Sequence, residues 1–201
     1  MGPLPSSSRG VFVKFQGIVL AGGKSSRFGE DKALARVGGF TMIERTVNLL
    51  SLLGLDPVVI TNATRDYSFL KCRIERDLVS DKGPMGGLYT ACRLFEHTSL
   101  VVLTCDMPAL TSAVIKPLMD NHEEKRGVTI YARSNTFKQP FPGVYESALC
   151  DQLVMSIKMK RLSLQEFLKG VPEMTTLPFP FEDGLLLNIN WKKNRILSAY
   201  A

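Results

Sequence analysis

The sequence predicts an α/β fold with a single doubly wound, mostly parallel sheet that is flanked by helices. Short apolar runs rich in Val, Ile and Leu alternate with longer segments of helical spacing, which is typical of βαβ units. No internal repeat or low-complexity linker divides the 201 residues, a length that can bury a substantial core. We therefore expect one domain over residues 10–201, after a Pro/Ser-rich disordered leader over residues 1–9.

The elements follow from the apolar pattern, taken in chain order. Four apolar runs predict buried strands, at residues 17–21, 58–61, 100–104 and 128–132. Apolar residues at helical spacing predict helices at 42–53, 85–95, 112–124, 152–159 and 164–170. Prolines in 140–145 and 174–181 predict edge strands or turns, and 191–200 is a candidate closing helix.

The charge balance favours an anionic partner. The net charge is +6, which suits a phosphate-rich small molecule as well as nucleic acid. No block of five like charges and no basic run with interleaved aromatic residues occurs, so we expect no nucleic-acid partner.

The distribution of apolar residues and cysteines predicts a cytoplasmic protein. No apolar stretch reaches the length of a membrane span, and the N-terminus lacks the apolar region of a signal peptide, so we expect no membrane association. The cysteines form no Cys-x-x-Cys motif and have no zinc spacing with His97 or His122. Free thiols in a reducing cytosol are therefore expected at all four positions, namely Cys72, Cys92, Cys105 and Cys150.

The first candidate site is a glycine loop after the first predicted strand. The run ends in Leu20-Ala21-Gly22-Gly23, and Lys24, Arg27 and Lys32 follow. Glycines let a backbone approach a ligand closely, and successive loop N–H groups can point at an anion. The loop therefore predicts a polyphosphate site. Two familiar phosphate loops do not match it, because the Walker A spacing is one residue too long and Lys24 replaces the second glycine of G-x-G-x-x-G.

A carboxylate follows the third predicted strand directly. Asp106 comes after the aliphatic run 100–104, and ligands of open α/β sheets bind outside the carboxyl ends of strands. Magnesium prefers one or two carboxylates and completes its shell with water and phosphates, so Asp106 is a candidate Mg²⁺ ligand. The alternative is an Asx turn before Pro108. The same pattern resembles a Walker B strand, which keeps a P-loop NTPase as a rival interpretation.

A second glycine loop opens the predicted helix at residue 85. Asp77 precedes Gly83-Pro84, and Gly86-Gly87 lie in the first turn, where close approach to a flat base or a ribose would be possible. Asn62 follows the second predicted strand and could offer its amide to a base or sugar edge. A simple turn is the alternative interpretation for each.

Together these segments resemble the molybdenum cofactor guanylyltransferases, which transfer GMP from GTP to molybdopterin. Leu20-Ala21-Gly22-Gly23 with Arg27 and Asp31-Lys32 is similar to the family's first loop, and Cys105-Asp106-Met107-Pro108 is similar to its metal site. The second loop, Thr61-Asn62-Ala63 and Leu187-Asn188-Ile189-Asn190 extend the resemblance from residue 17 to about residue 190. Gln139-Pro140 followed by Gly143-Val144-Tyr145 resembles a Gln/His-Pro segment ahead of an inner strand. The resemblance implies a Rossmann-like nucleotidyltransferase architecture with a mixed sheet.

The resemblance also implies a role for each matching residue. Arg27, Lys32 and Asp106 would be catalytic, and Asp106 would hold Mg²⁺ as the cofactor. Asn62 and Asp77 would bind the guanosine part. Asn188 and Asn190 would lie nearer the pterin. The backbone of the two glycine loops would contact the nucleotide at Leu20, Ala21, Gly22, Gly23 and Gly83.

GTP and molybdopterin are the implied substrates, and transient contacts with other cofactor-biosynthesis proteins or molybdoenzymes are expected. Three alternatives stay open at this point. One is the same chemistry with CTP or with a sugar phosphate as acceptor. The others are a P-loop NTPase and a nucleotide sensor without catalysis.

Overall fold

The computed structural model describes residues 14–22, 31–62, 66–124, 127–134 and 137–179. The predicted leader at 1–9 and the predicted closing helix at 191–200 lie outside these residues. Among the residues described, no helix is long and apolar enough to cross a membrane.

A seven-stranded sheet forms the centre of the described structure. Its strands are β1 (Phe15–Leu20), β4 (Pro57–Thr61), β5 (Arg73–Arg76), β6 (Ser99–Thr104), β7 (Val128–Ala132), β8 (Lys138–Glu146) and β9 (Met174–Pro178). Their order is β5-β4-β1-β6-β8-β7-β9, and β8 runs antiparallel to both of its neighbours while every other pairing is parallel. The predicted mostly parallel, mixed sheet is therefore confirmed, including all four predicted buried strands.

Helices cover both faces of this sheet, as predicted. They are α1 (Met42–Leu52), α2 (Pro84–Leu94), α3 (Ser112–Glu124), α4 (Cys150–Lys158) and α5 (Leu164–Lys169). Apolar residues of α2, α4 and α5 pack with Leu100 and Val102 of β6. Those of α1 and α3 pack on the other side with Val101 and Leu103. The apolar side chains of β6 thus belong alternately to two cores, because successive side chains of a strand point to opposite faces of the sheet.

Helix α1 is preceded by a small hairpin and begins with a capping box. Strands β2 (Arg36–Val37) and β3 (Phe40–Thr41) pair through a turn in which Gly38 and Gly39 both have positive φ. The Thr41 hydroxyl accepts from the Glu44 N–H at 3.3 Å, and the Glu44 carboxylate accepts from the Thr41 N–H at 2.7 Å. Both groups satisfy helix-end donors, so the start of α1 is fixed.

The prediction that residues 140–145 form an edge strand or a turn is wrong, because β8 lies inside the sheet. Its pairing with β7 jumps from Gly143 opposite Ile130 to Gln139 opposite Tyr131. Pairing with β6 ends at Gly143. Residues 140–142, which include two prolines, therefore fall in the irregularity, where no ladder N–H is required. The other proline-containing segment, β9, does lie at an edge.

Strand β5 has no counterpart among the predicted elements. It reads Arg-Ile-Glu-Arg, its residues are mostly exposed, and it lies at the edge of the sheet beside β4. Charged side chains are common on edge strands because they discourage pairing with other chains. A strand of this kind has no apolar run by which the sequence would reveal it.

Candidate active site

The candidate site residues follow four neighbouring parallel strands, at the edge of the sheet formed by the carboxyl ends of the strands. Leu20 of β1 pairs with Ile60 of β4 and with Thr104 of β6. Backbone hydrogen bonds continue this register one step further, from Ala21 N to Ile60 O at 2.9 Å and from Asp77 N to Thr61 O at 3.0 Å. The structure therefore brings together four of the predicted positions beyond the strand ends, which are Gly22, Asn62, Asp77 and Asp106.

This edge contains the point at which the strand order reverses. From β1 the chain continues to β4 and β5 on one side, and then it crosses to β6 on the other side. The carboxyl ends of β1 and β6 thus border the crevice in which open α/β sheets bind ligands. Gly22 and Asp106 lie on its two sides.

The first glycine loop begins with buried residues and then opens to solvent. Leu20 and Ala21 are buried, whereas Gly22 is exposed. A Cβ at Gly22 would lie 3.4 Å from Asn62 Oδ1, so the Asn62 side chain is beside the Gly22 backbone. Gly23 and Arg27 of the predicted loop lie outside the described residues.

The second glycine loop packs against the first. Gly83 has φ +59° and precedes α2, whose first residue is Pro84. A Cβ at Gly87 would lie 2.9 Å from Leu20 Cδ2, and one at Gly86 would lie 2.8 Å from Val79 O. The close approach at Gly86 and Gly87 is thus to the protein itself, and the expected approach to a base or ribose is not what requires these two glycines.

Asp77 holds this loop on α2. Its Oδ1 accepts from the Thr90 hydroxyl at 2.7 Å and from Val79 N at 3.1 Å, and the Thr90 hydroxyl accepts from Leu78 N at 3.0 Å. Oδ2 would be 3.0 Å from a Cβ at Gly86. Asp77 is therefore oriented by Thr90, a fully buried polar residue that the sequence reasoning missed.

Lys32 opens a single 3₁₀ turn, Lys32–Leu34, and is half-buried. Asp31 caps the turn, since its Oδ1 accepts from Ala33 N at 3.1 Å. The backbone of Lys32 is thus fixed by the turn that Asp31 caps. Burial, together with the charges of Asp106 and Asp31, raises the pKa of the Cys105 thiol to about 12 against the opposing charge of Lys32.

Asp106 is half-buried just beyond the end of β6. Within the described part of the chain, Asp106 Oδ1 and Thr104 Oγ1 are buried without a hydrogen-bond partner. A buried carboxylate oxygen needs a partner, and a hard divalent cation supplies one. The described residues contain no cluster of three or more His, Cys, Asp and Glu. A metal here would therefore take most of its ligands from water and phosphates, which is how Mg²⁺ binds with nucleotides.

Arg45 of α1 supports the loop that follows Asp106. Its guanidinium donates from Nε and Nη2 to Pro108 O at 3.3 and 3.1 Å, and from Nη1 to Val37 O at 3.2 Å. It therefore ties the loop after Asp106 to the hairpin that follows Lys32. The sequence offered one signal for this residue, a cation placed among the buried positions of an amphipathic helix.

The two histidines lie away from this edge. His122 is fully buried between Thr129 Oγ1 at 3.1 Å and Glu146 Oε1 at 3.0 Å, and Ser99 donates to the same Glu146 oxygen at 2.9 Å. Ser99 starts β6, so this network belongs to the opposite edge of the sheet. His97 lies beyond the end of α2. The four cysteines are free thiols, as predicted.

Known proteins resemble this chain in sequence and in fold. Residues 17–171 match the model of the MobA-like NTP transferase domain. A probable molybdenum cofactor guanylyltransferase of Flavobacterium johnsoniae is 30% identical, with 86% of this chain and 90% of that protein covered. Among solved structures, a putative protein from Aquifex aeolicus is 28% identical with a TM-score of 0.74, covering 89% of this chain and 94% of that one.

A third protein shows the same fold. The molybdopterin-guanine dinucleotide biosynthesis protein A of Archaeoglobus fulgidus is 21% identical with a TM-score of 0.68, and the match covers 81% of this chain and 83% of that chain. These matches confirm the predicted Rossmann-like nucleotidyltransferase architecture and the predicted resemblance. They do not favour a P-loop NTPase. The chain belongs to the MobA-like NTP transferase family.

Proposed function

We propose that this chain is a molybdenum cofactor guanylyltransferase, which transfers GMP from GTP to molybdopterin and releases pyrophosphate. The product is the molybdopterin guanine dinucleotide. One observation carries the proposal beyond the family assignment. The exposed Gly22 backbone, with Asn62 beside it, borders the crevice between β1 and β6. So does the Asp106 carboxylate, whose buried Oδ1 has no hydrogen-bond partner among the described residues.

The nucleotide would lie along the carboxyl ends of β1, β4 and β5. Leu20, Ala21, Gly22 and Gly23 contact it through the backbone in this proposal, together with Gly83. Asn62 and Asp77 bind the guanosine part. Asn62 is exposed beside Gly22 and available to a ligand. Asp77 is held in place through Oδ1, and its orientation is thus set before the nucleotide arrives.

The reaction needs positioning and charge neutralisation more than proton transfer. A terminal phosphate oxygen of molybdopterin attacks the α-phosphorus of GTP in line, the bond to the pyrophosphate oxygen breaks, and no covalent enzyme intermediate forms. Both reactants are anions, so Lys32 and Arg27 lower the barrier by neutralising the charge on the phosphates. The attacking phosphate is already ionised at neutral pH, which agrees with the distance of both histidines from the site edge.

Asp106 would hold Mg²⁺ through Oδ1, which is buried and finds no hydrogen-bond partner in the described part of the chain. When bound, Mg²⁺ would neutralise charge on the phosphates and orient the α-phosphate and the leaving group. Lys32 would share this neutralisation from the 3₁₀ turn that Asp31 caps.

The acceptor side rests on residues that the structure does not describe. Asn188 and Asn190 would lie nearer the pterin, and both lie outside the described residues. We further propose that the reaction takes place in the cytoplasm, where transient contacts with other cofactor-biosynthesis proteins or molybdoenzymes would pass the product on.

The test is pyrophosphate release from GTP and from CTP, each with and without molybdopterin and Mg²⁺. We expect release that requires GTP, molybdopterin and Mg²⁺ together. Faster turnover with CTP would contradict guanylyl transfer. Release of free phosphate without acceptor would instead indicate an NTPase.

The role of Asp106 is tested by Asp106→Ala and Asp106→Asn, with Asp120→Ala as the matched control. Asp120 is exposed on α3 and has no part in the proposed site. We expect turnover to fall by about 100-fold or more for both Asp106 variants, whereas the control keeps the wild-type rate. Near-normal GTP consumption by folded Asp106→Asn would refute the metal role.

A further inference from the structure

The turn that carries Lys32 is held from outside by Tyr67. Tyr67 lies on the connection between β4 and β5, and its side chain is only 3% exposed. Its ring belongs to the core cluster that also contains Ala21, Ala33 and Ile43. Packing alone therefore fixes the position of this ring.

The Tyr67 hydroxyl donates to Asp31 Oδ2 at 2.5 Å. The other oxygen of the same carboxylate, Oδ1, accepts from Ala33 N at 3.1 Å. Asp31 therefore joins the buried phenol to the backbone of the 3₁₀ turn. Lys32 lies between Asp31 and Ala33 in the chain, so the residues on both sides of its backbone are held by hydrogen bonds.

The far end of the turn is also fixed. Ala35 N donates to Lys32 O at 3.1 Å, and Met42 N donates to Ala35 O at 2.9 Å, which attaches the turn to the start of α1. Tyr67 differs from these neighbours because it reaches the turn from another part of the chain, 36 residues away from Asp31. It links the connection that begins with Asn62 to the turn that carries Lys32.

We propose that Tyr67 is a positioning residue that sets the location of the Lys32 ammonium through Asp31. The proposal rests on the proposed function in one respect, that Lys32 neutralises phosphate charge. Tyr67 itself touches neither nucleotide nor acceptor in this arrangement. It fixes the turn from which the Lys32 side chain extends.

The test compares Tyr67→Phe with Tyr131→Phe. Tyr131 is also a buried phenol, 1% exposed, and its hydroxyl donates to Val114 O at 2.9 Å between β7 and α3. Each substitution removes one buried hydroxyl and leaves the ring. We expect Tyr67→Phe to lower kcat about tenfold while KM for GTP rises less than threefold, and Tyr131→Phe to keep kcat within twofold. An unchanged kcat in Tyr67→Phe would overturn the proposal.

Coupling to Lys32 separates positioning from general loss of stability. Binding of inorganic tripolyphosphate is measured by calorimetry for the wild type, Tyr67→Phe, Lys32→Ala and the double variant. We expect the dissociation constant to rise about threefold in Tyr67→Phe, and the double variant to bind no more weakly than Lys32→Ala. Equal weakening by Tyr67→Phe in both backgrounds would contradict the role.

The tripolyphosphate measurement also distinguishes this proposal from the proposed function. A wild-type chain that binds tripolyphosphate but transfers no GMP would contradict guanylyl transfer. The role of Tyr67 would still be decided by the dissociation constants of the single and double variants. A wild-type chain that does not bind tripolyphosphate would overturn the positioning role directly, because Lys32 would then have no phosphate to meet.

Discussion

At Gly86 one methyl group decides whether α2 can begin where it does. An alanine Cβ would lie 2.8 Å from Val79 O and 3.0 Å from Asp77 Oδ2. Alanine normally stabilises a helix interior by about 1 kcal/mol relative to glycine, but a backbone carbonyl cannot turn aside as a side chain can. We expect Gly86→Ala to lower the free energy of unfolding by about 1–3 kcal/mol, measured by urea denaturation.

Gly170→Ala is the matched control for this substitution. Gly170 ends α5 with φ −92°, and a Cβ there would lie 3.5 Å from Phe167 O, an ordinary contact. Its free energy of unfolding should stay within about 0.5 kcal/mol of the wild type. Equal losses in both variants would show that the contact with Val79 O is not the cause.

Single residues were predictable from the sequence where their chemistry depends on local order. Asp106 follows an aliphatic strand, and Gly22 ends one, so both could be placed at a strand end without coordinates. Arg45 and Tyr67 could not, because their hydrogen-bond partners lie 63 and 36 residues away. Such partners become neighbours only through the order of strands in the sheet.

Among the elements, α1 has a start whose stability depends on pH. Hydrogen bonds from the Thr41 hydroxyl and N–H lower the pKa of Glu44 below its ordinary value of 4.5. A lowered folded pKa means that this stabilisation is fully present above the unfolded pKa and is lost as the pH falls through the folded value. We expect Glu44→Gln to lower the Tm at pH 7, and the difference from wild type to shrink toward about pH 3.

Glu166→Gln provides the comparison in α5. Glu166 also follows a capping serine, Ser163, but its carboxylate is exposed and pairs with Lys169 at 2.7 Å. An exposed pair of this kind contributes little, so the Tm should change little at either pH. A pH-independent loss in Glu44→Gln would contradict the role assigned to the capping box.

The elements also show where pattern reading succeeds. The buried strands β1, β4, β6 and β7 were found because both of their faces are covered, which leaves a continuous apolar run. Strand β8 was misplaced because its prolines argued for an edge. Residues 140–142 are left out of the pairing between β7 and β8, so their prolines do not break the ladder inside the sheet. A register shift of this kind leaves no signal in the local sequence.

For the whole molecule, the net charge of +6 predicts a rate that depends on salt. Both proposed substrates are polyanions, and salt screens long-range attraction over about 8 Å at physiological ionic strength. We expect KM for GTP to rise several-fold between about 50 and 300 mM KCl, with kcat changing less, because bound phosphates are partly shielded from the solvent. Steady-state kinetics at constant Mg²⁺ measures both quantities. A fall in kcat with unchanged KM would contradict electrostatic steering.

The order of strands has a consequence for synthesis of the chain on the ribosome. Strand β1 begins at Phe15, but its neighbour β6 begins only at Ser99. Until β6 has emerged, the crevice between β1 and β6 cannot form. Strand β1 can then pair only with β4, and its other edge stays without a partner strand. Closing so distant a pair is slow. Nucleotide binding can therefore stabilise only nascent chains from which β6 has already emerged.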